Sequence, residues 1–459
     1  MKKKYKSLVK DTLIFALGSV GSKCILFFLV PIYTNYLTTR EFGTSDLVFT
    51  VAQLIMPFFS LVIYDAVIRF GLTKNQPSEN VLLVGFLITG IGGIFTLLFT
   101  PLFGLYSPIA EWKWYLSIYI ILSNFLSVEM NYLKVKDKNK IYALISIAQT
   151  AVMAGLNVLL LVVFHIGIKG YLLAYIIASG CAVVLATGAA NIMADLKKAV
   201  FDRKLLSEMV KFSAPLILNN ISWWVVQSSD KMMVEFFLGA SALGIYTVAS
   251  KIPSLINVMI NVFSQAWGIS SVKEIESSND VSFYSSVLKT YILLAFGACV
   301  CLVSIIKPFM LLYVGKAFSD AWQYVPLLLT AAAFASIAYY YGSLYGALKK
   351  SWNNMLTTLT AAIVNIIINY ILLKYIGLWG AILGTLISYI VMAHSRMINV
   401  GKYIPIKINK IQYSANCIIM TTQAVLVSLD WHVYLVSLFA MILFVAVNRK
   451  EIRFLFKRK

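Results

Sequence analysis

The chain has 459 residues, is 60% hydrophobic and only 13% charged, and has a mean hydropathy of +0.82. A soluble domain carries charge at about a quarter of its residues, so a soluble globular fold is excluded. The net charge of +20 would point to nucleic acid in a soluble protein. In a membrane chain it is the positive charge expected on cytoplasmic loops, and no nucleic-acid partner is expected.

Apolar runs of about 20 residues recur along the whole chain, each long enough to cross a bilayer as a helix. Only helices and closed barrels satisfy their own backbone in lipid, and these runs are continuous rather than alternating, which selects helices. The start, Met1-Lys-Lys-Lys-Tyr-Lys6, looks like a signal-peptide n-region. The apolar stretch behind it, however, contains Lys23 and runs to Tyr36 without a clear cleavage site, so it reads as a retained first span.

About fourteen spans are predicted, at roughly 11–36, 44–70, 80–104, 112–133, 141–164, 168–192, 209–237, 241–268, 284–306, 321–347, 352–375, 377–399, 411–429 and 431–448. The longest polar linker, Met193–Glu208, separates two halves of six spans. The expected organisation is an N-lobe over 1–192, a cytoplasmic linker over 193–208, a C-lobe over 209–400, and two further spans with a basic tail over 401–459.

Loop charge orients the map. With a cytoplasmic N-terminus, the inside loops hold Lys134, Lys136, Lys138 and Lys140, then Lys197, Lys198, Arg203 and Lys204, then Arg396, Lys402, Lys407 and Lys410, and the tail from Arg449. The outside loops hold only Arg40, Lys113, Lys169, Lys307, Lys316 and Lys374. This asymmetry follows the positive-inside rule and puts both termini in the cytoplasm. Trp112, Trp114, Trp322, Trp379 and Trp431 are expected in an outer aromatic belt, and Trp267 and Trp352 near the inner edge. The five cysteines fall within apolar runs with no Cys-x-x-Cys pair, and the three histidines have no ligand spacing, so neither a disulfide nor a metal is expected.

The halves echo each other. Leu37-Thr-Thr-Arg-Glu-Phe-Gly43 follows span one, and Leu238-Gly-Ala-Ser-Ala-Leu-Gly244 follows span seven. Gly167-Ile-Lys-Gly170 joins spans five and six, and Gly377-Leu-Trp-Gly380 joins spans eleven and twelve. The glycines suit a tight turn followed by close helix packing. An even number of spans per half implies parallel repeats with a central site between them.

Three stretches carry a family resemblance. They are Phe15-Ala-Leu-Gly18 through Leu37–Gly43, then Asp65-Ala-Val-Ile-Arg69-Phe70, then Phe212-Ser-Ala-Pro-Leu216 followed by Asp230-Lys231 and Leu243-Gly-Ile-Tyr246. In these the chain resembles polysaccharide transporters of the oligosaccharide-flippase type. That is the Wzx-like branch of the MOP superfamily, which also holds MATE exporters and the lipid II flippase. The resemblance covers spans one to twelve. It implies an all-α membrane protein with two six-helix lobes around a cavity that opens alternately to each side, plus two C-terminal helices. Phe42 stands where the family normally has tyrosine.

Charge inside the spans bears on cargo. A mid-bilayer lysine costs about 2.5–3.5 kcal/mol on insertion scales, so Lys23 and Lys251 are read as lining a wet cavity. Ser19 and Ser22 share the face of Lys23. Lys251 belongs to a polar stripe with Thr247, Ser254, Asn257 and Asn261, and span seven carries Asn220, Trp224, Gln227 and Lys231. For any single serine or asparagine, helix–helix hydrogen bonding is the plainer reading. Asp65 and Arg69, four apart, suit an intrahelical ion pair. Alternatively, Arg69 meets substrate at the inner mouth. Glu129 is the weakest candidate. Tyr339, Tyr340, Tyr341 and Tyr345 suit sugar stacking, though packing is expected for most.

Several cations with few acids suit an anionic cargo, and a lipid diphosphate bearing a sugar chain fits. The expected substrate residues are Lys23, Arg69, Lys231, Lys251, Asn220, Gln227 and Asn257. Asp65 and Asp230 are candidates for coupling to H+ or Na+. The membrane potential alone favours outward movement of a double anion by about 4.6 kcal/mol per 100 mV. The expectation is thus a transporter in a bacterial cytoplasmic membrane, not an enzyme, with no catalytic residue and no cofactor; no Walker motif is present. A polysaccharide polymerase and glycosyltransferases are the expected partners beside membrane lipids. The rivals are a cation-coupled MATE-type exporter and a membrane-embedded enzyme of lipid-linked sugars.

Overall fold

A computed structural model describes residues 21–73, 76–277 and 280–457. The first family stretch to Gly18, together with Ser19 and the N-terminal lysines, lies outside them. The described residues form helices without strands. The helices are α1 (residues 21–36), α2 (Thr39–Ser60), α3 (Ile63–Gly71), α4 (Ser78–Phe103), α5 (Lys113–Val135), α6 (Asn139–Asn157), α7 (Ile168–Ala190) and α8 (Ile192–Lys198). They continue with α9 (Arg203–Ser277), α10 (Val281–Tyr313), α11 (Val325–Ala347), α12 (Ser351–Ile376), α13 (Leu378–Gly401), α14 (Lys410–Ser428), α15 (Val433–Val447) and α16 (Arg449–Lys457). The expected all-α membrane fold is what the chain adopts. Ten of the described helical stretches are long and apolar enough to cross a bilayer. α14 is less apolar, and α15 has only 15 residues.

The contacts divide the chain into two compact units, one running to Ser228 and the other from Ser229, so the division falls inside α9. In the first unit α7 presents Ala178, Ala182, Ala186 and Ala190 at fourfold spacing, all buried. Small residues at this spacing let helix backbones approach closely in lipid, and α7 packs on α5 and α6. In the second unit α11 is buried on every side from Val325 to Ala338. A helix apolar all round belongs in the middle of a bundle, and α10, α13 and α14 surround it.

The repeat is visible in the backbone. Helix is interrupted at Thr38 in the first unit and at Gly239 (φ 81°, ψ 172°) in the second, and these are matching positions of the two echoed heptapeptides. Gly167 (φ 65°, ψ −144°) and Gly377 (φ 59°, ψ −138°) open α7 and α13 in the same conformation. The packing partners also correspond: α4 with α5, α5 with α7 and α6 with α7 repeat as α10 with α11, α11 with α13 and α12 with α13.

Three expectations change. Span two is not one helix. Pro57 removes a backbone donor, and Leu61 (φ 48°) and Val62 (φ 53°) then turn left-handed between α2 and α3. Ser60 Oγ accepts from the Val62 N–H at 3.2 Å, and Gly92 sits so close that a Cβ there would lie 1.8 Å from the Phe59 carbonyl. Trp267 and Trp322 are not belt residues: both are buried in the second unit, where Trp267 stacks on Tyr340 at 4.8 Å and Lys307 lies over Trp322. Trp114, Trp352 and Trp431 are exposed, as a belt requires. Arg396 does not lie in a loop, because α13 runs on to Gly401 and carries it inside the second unit.

Candidate functional site

The candidate residues divide between the units. In the first unit, Lys23 on α1 is half-buried and has no ion-pair partner among the described residues. Its neighbour Ser22 donates to the Ser146 carbonyl of α6 at 3.5 Å, which holds this part of α1 against α6. Asp65 and Arg69 form no ion pair among the described residues. Arg69 is exposed, and the cation acting on Asp65 is Lys134 of α5. Lys134 donates to Asn131 Oδ1 at 3.0 Å, and Asn131 donates to the Tyr64 carbonyl at 2.9 Å, so α3 and α5 are joined beside Asp65. Asn220 donates to the Leu216 carbonyl of its own helix, and Gln227 is exposed. Trp224 donates to the Thr50 carbonyl at 3.0 Å and thereby fastens α9 to α2.

In the second unit, Asp230 accepts from Tyr246 Oη and from the Lys231 backbone N–H. The two pieces of the third family stretch therefore meet, and they clamp the helical segments on either side of Gly239. Lys231 and Lys251 are half-buried and Asn257 is exposed; Asn261 lies outside the residues whose side chains are described. Ser254 donates to the Lys251 carbonyl at 2.6 Å, an intrahelical bond. Tyr340, Tyr341 and Tyr345 are fully buried: Tyr340 donates to the Tyr284 carbonyl at 2.8 Å and Tyr345 to Asn399 at 3.0 Å. The packing reading holds for these three.

Family-motif residues turn out to shape the chain. Thr38 and Glu41 form a capping box at the start of α2, satisfying two free helix donors reciprocally. A Cβ on Gly167 would lie 3.0 Å from Glu41 Oε1, so the first motif meets the α6–α7 turn. Phe42 is buried against Tyr33 and Tyr171, where its ring packs between them.

Two buried charges had little sequence signal. Glu129 of α5 is 1% exposed; one oxygen accepts from Thr187 of α7 at 2.8 Å and the other is buried without a partner. Arg396 of α13 is 3% exposed and donates to Thr357 at 3.2 Å, to the Ala338 carbonyl at 2.7 Å and to Thr358 at 2.8 Å. All three acceptors are neutral, and no carboxylate pairs with Arg396 among the described residues. Glu129 joins α5 to α7 while Arg396 joins α13 to α11, so the two units bury opposite charges at corresponding helix pairs. A charge at the centre of an unbroken apolar run would have been the signal, but both residues lie near run ends, where interfacial placement is the ordinary expectation.

Charge at the α5–α6 turn is also fixed. Lys136 pairs with Asp195 and donates to the Ala190 carbonyl at 2.9 Å, while Lys138 donates to the Ala189 carbonyl at 2.7 Å. These ammonium groups cap the C-terminus of α7, where carbonyls lack helical partners and the dipole favours cations.

Residues 8–267 match the family described as polysaccharide biosynthesis protein. The chain belongs to that family. This agrees with the polysaccharide-transporter resemblance that the motifs carry, at the level of the family. Among relatives, an uncharacterized membrane protein of Haemophilus influenzae is 25% identical over 265 residues, 57% of this chain and 64% of that one. A probable low-salt glycan biosynthesis flippase, Agl15, of Haloferax volcanii is 25% identical over 232 residues, 49% of this chain and 48% of that one. The chain thus spans less than two thirds of these relatives' lengths. The fold is similar to that of the lipid II flippase MurJ in an inward closed conformation, with a TM-score of 0.72, 14% identity, and coverage of 96% of this chain and 100% of that one. It is likewise similar to an inward-facing multidrug resistance MATE family transporter of the MOP superfamily, with a TM-score of 0.68, 14% identity, and coverage of 85% of this chain and 94% of that one.

Proposed function

We propose that this polysaccharide biosynthesis family member is a flippase. Its cargo would be an undecaprenyl-diphosphate-linked oligosaccharide, carried from the inner to the outer leaflet of a bacterial cytoplasmic membrane by alternating access, with both termini cytoplasmic. The observation that carries the reading is cationic charge within the spans that no carboxylate neutralises among the described residues: Lys23 without an ion pair, and Arg396 held only by neutral acceptors. A buried cation without a counter-ion is costly in lipid unless it meets water or an anion, and a diphosphate supplies the anion. Ammonium and guanidinium groups hold phosphate oxygens by charge-assisted bonds. Lys231, Lys251 and Arg69 are further cations proposed to meet the cargo, whatever their own partners in the resting chain, Asn220, Gln227 and Asn257 offer amides to sugar hydroxyls, and the outward-directed potential acts on the double anion. Asp65 and Asp230 are the proposed carriers of a returning H+ or Na+. A MATE-type exporter of cations would place acids where these lysines stand, which makes it the weaker reading.

The test is flipping of a labelled undecaprenyl-diphosphate oligosaccharide in proteoliposomes. Lys23→Ala with Lys251→Ala should abolish flipping while the melting temperature stays near that of wild type. Flipping at the wild-type rate in that double variant would refute the proposal.

A further inference from the structure

A cavity of about 270 Å³ in the second unit lies apart from every residue assigned to cargo. Three elements wall it. α10 contributes Ser285, Leu288, Lys289, Ile292 and Leu293, which share one face by spacings of three and four. The start of α14 contributes Asn409, Gln412, Tyr413 and Asn416, and the junction of α15 and α16 contributes Asn448 and Glu451. The extended connector before α14 is fixed in place, because the Lys407 N–H donates to Ser285 Oγ at 2.9 Å.

The lining has two characters. One side is apolar, from Leu288, Ile292 and Leu293. The other is built of amides: Asn416 and Asn448, each 2% exposed, exchange hydrogen bonds at 3.0 and 2.7 Å, and Gln412 donates to Asn448 at 3.0 Å. These interlocked amides form the polar side of the cavity. At its mouth Lys289 pairs with Glu451 at 2.8 Å but keeps 57% of its side chain exposed, and the Lys407 ammonium has no partner among the described residues. The sequence flanking the α14 and α15–α16 walls is mainly basic: Lys402, Lys407, Lys410, Arg449, Lys450 and Arg453 stand against Glu451, while Asp280 caps the start of α10. Loop charge assigns this end of the helices to the cytoplasmic face.

We propose that the cavity binds the phosphate head group of an anionic inner-leaflet phospholipid. The phosphate would lie between Lys289 and Lys407, and the first part of an acyl chain would enter the cavity against Leu288, Ile292 and Leu293, which are 1%, 7% and 7% exposed. Basic pockets between membrane helices on the cytoplasmic side hold anionic lipid by charge, and the apolar lining of Leu288, Ile292 and Leu293 suits an amphiphile better than a free anion. Glu451 occupies part of the position a phosphate would take, so it competes for Lys289. The site concerns the C-terminal appendage and stands whether or not the cargo reading does.

The experiment is native mass spectrometry of the purified full chain, counting adducts retained with phosphatidylglycerol, with phosphatidylcholine, or with inorganic phosphate. The wild type should retain phosphatidylglycerol over phosphatidylcholine, and Lys289→Ala with Lys407→Ala should lower that retention about fivefold per lysine. The charge-matched control Lys197→Ala with Lys198→Ala, in the first unit, should retain lipid as the wild type does. Glu451→Gln, which frees Lys289, should raise retention. Equal retention of the two lipids, equal loss in the control variant, or a fall in Glu451→Gln overturns the proposal. Occupancy by inorganic phosphate that excludes phosphatidylglycerol also overturns it, since the source would then be a free anion.

Discussion

Arg396 occupies the space that a side chain at Gly342 would need: a Cβ there would lie 2.6 Å from Nη1. The guanidinium, not the α13 backbone, fills the gap left at residue 342, and from there it reaches the Ala338 carbonyl. Gly342→Ala should displace the guanidinium and cost about 1–3 kcal/mol, the usual penalty for overpacking. Arg396→Met should behave differently. It removes a buried cation whose partners are neutral, and Thr357 and Thr358 keep their own bonds to helix carbonyls. Replacing buried charge by an apolar side chain of similar size is often close to neutral. The expected result is a melting temperature near wild type for Arg396→Met, a clear drop for Gly342→Ala, and reduced flipping in both. A drop in Arg396→Met as large as that of Gly342→Ala would make the arginine a structural tie.

The equal backbone angles of Gly167 and Gly377 give a second prediction. Both residues sit at φ near +60° with strongly negative ψ, a region that side-chain-bearing residues enter only at a cost of about 1–3 kcal/mol. Gly167→Ala and Gly377→Ala should each destabilise by that order. The double variant should lose about the sum, since the sites lie in separate units and share no partner. Thermal unfolding of the three variants checks this. A tolerated Gly377→Ala beside a damaging Gly167→Ala would deny that the two turns are equivalent.

The all-helical membrane character of the chain and its repeat were legible because each rests on a signal that burial does not alter; of the fourteen spans expected, ten described stretches are long and apolar enough to cross a bilayer. Apolar run length fixes a crossing helix, and glycine at a turn fixes a backbone conformation. Residues whose role depends on a distant partner were not legible. Glu129 bonds Thr187, 58 positions along the chain, and Trp267 stacks on Tyr340, 73 positions from it by their hydrogen bond. Neither pairing leaves a local pattern. The break after Ser60 was hidden for another reason: Leu61 and Val62 are apolar, so the run reads as continuous while the backbone turns left-handed inside it. Asp65 and Arg69 show the limit of spacing arguments, since the fourfold separation yields no ion pair among the described residues and the cation acting on Asp65 is Lys134.

Asp195 predicts a pH dependence at the end of α7. Burial raises its carboxyl pKa, but the hydrogen bonds from Lys136 and Tyr132 and the charges of Lys136 and Lys198 outweigh burial and hold it below the ordinary value. A carboxyl depressed on folding stabilises above its unfolded pKa of about 3.9, and that contribution is lost as pH falls through the folded value. Asp195→Asn should therefore cost about 1–2 kcal/mol at neutral pH. Its melting temperature should converge on that of wild type in strong acid. Parallel curves from neutral to acid pH would show that the Lys136 pair contributes nothing.

Glu129 and Thr187 supply the last prediction, because they join α5 to α7 by a buried side-chain bond. Glu129→Gln preserves shape and an oxygen that accepts from Thr187, so its stability should stay within about 0.5 kcal/mol of wild type, as for a change that disturbs no packing. Glu129→Ala leaves a void and an unsatisfied hydroxyl, and Thr187→Ala leaves a second buried carboxyl oxygen without a donor; each should cost about 1–3 kcal/mol. In the double variant the second loss should be smaller by about 1 kcal/mol, because the bond can be broken only once. Denaturant or thermal unfolding of the four proteins measures this coupling directly. Strictly additive losses would mean that the bond at 2.8 Å does not hold α5 against α7, and that Glu129 is retained for a purpose other than packing.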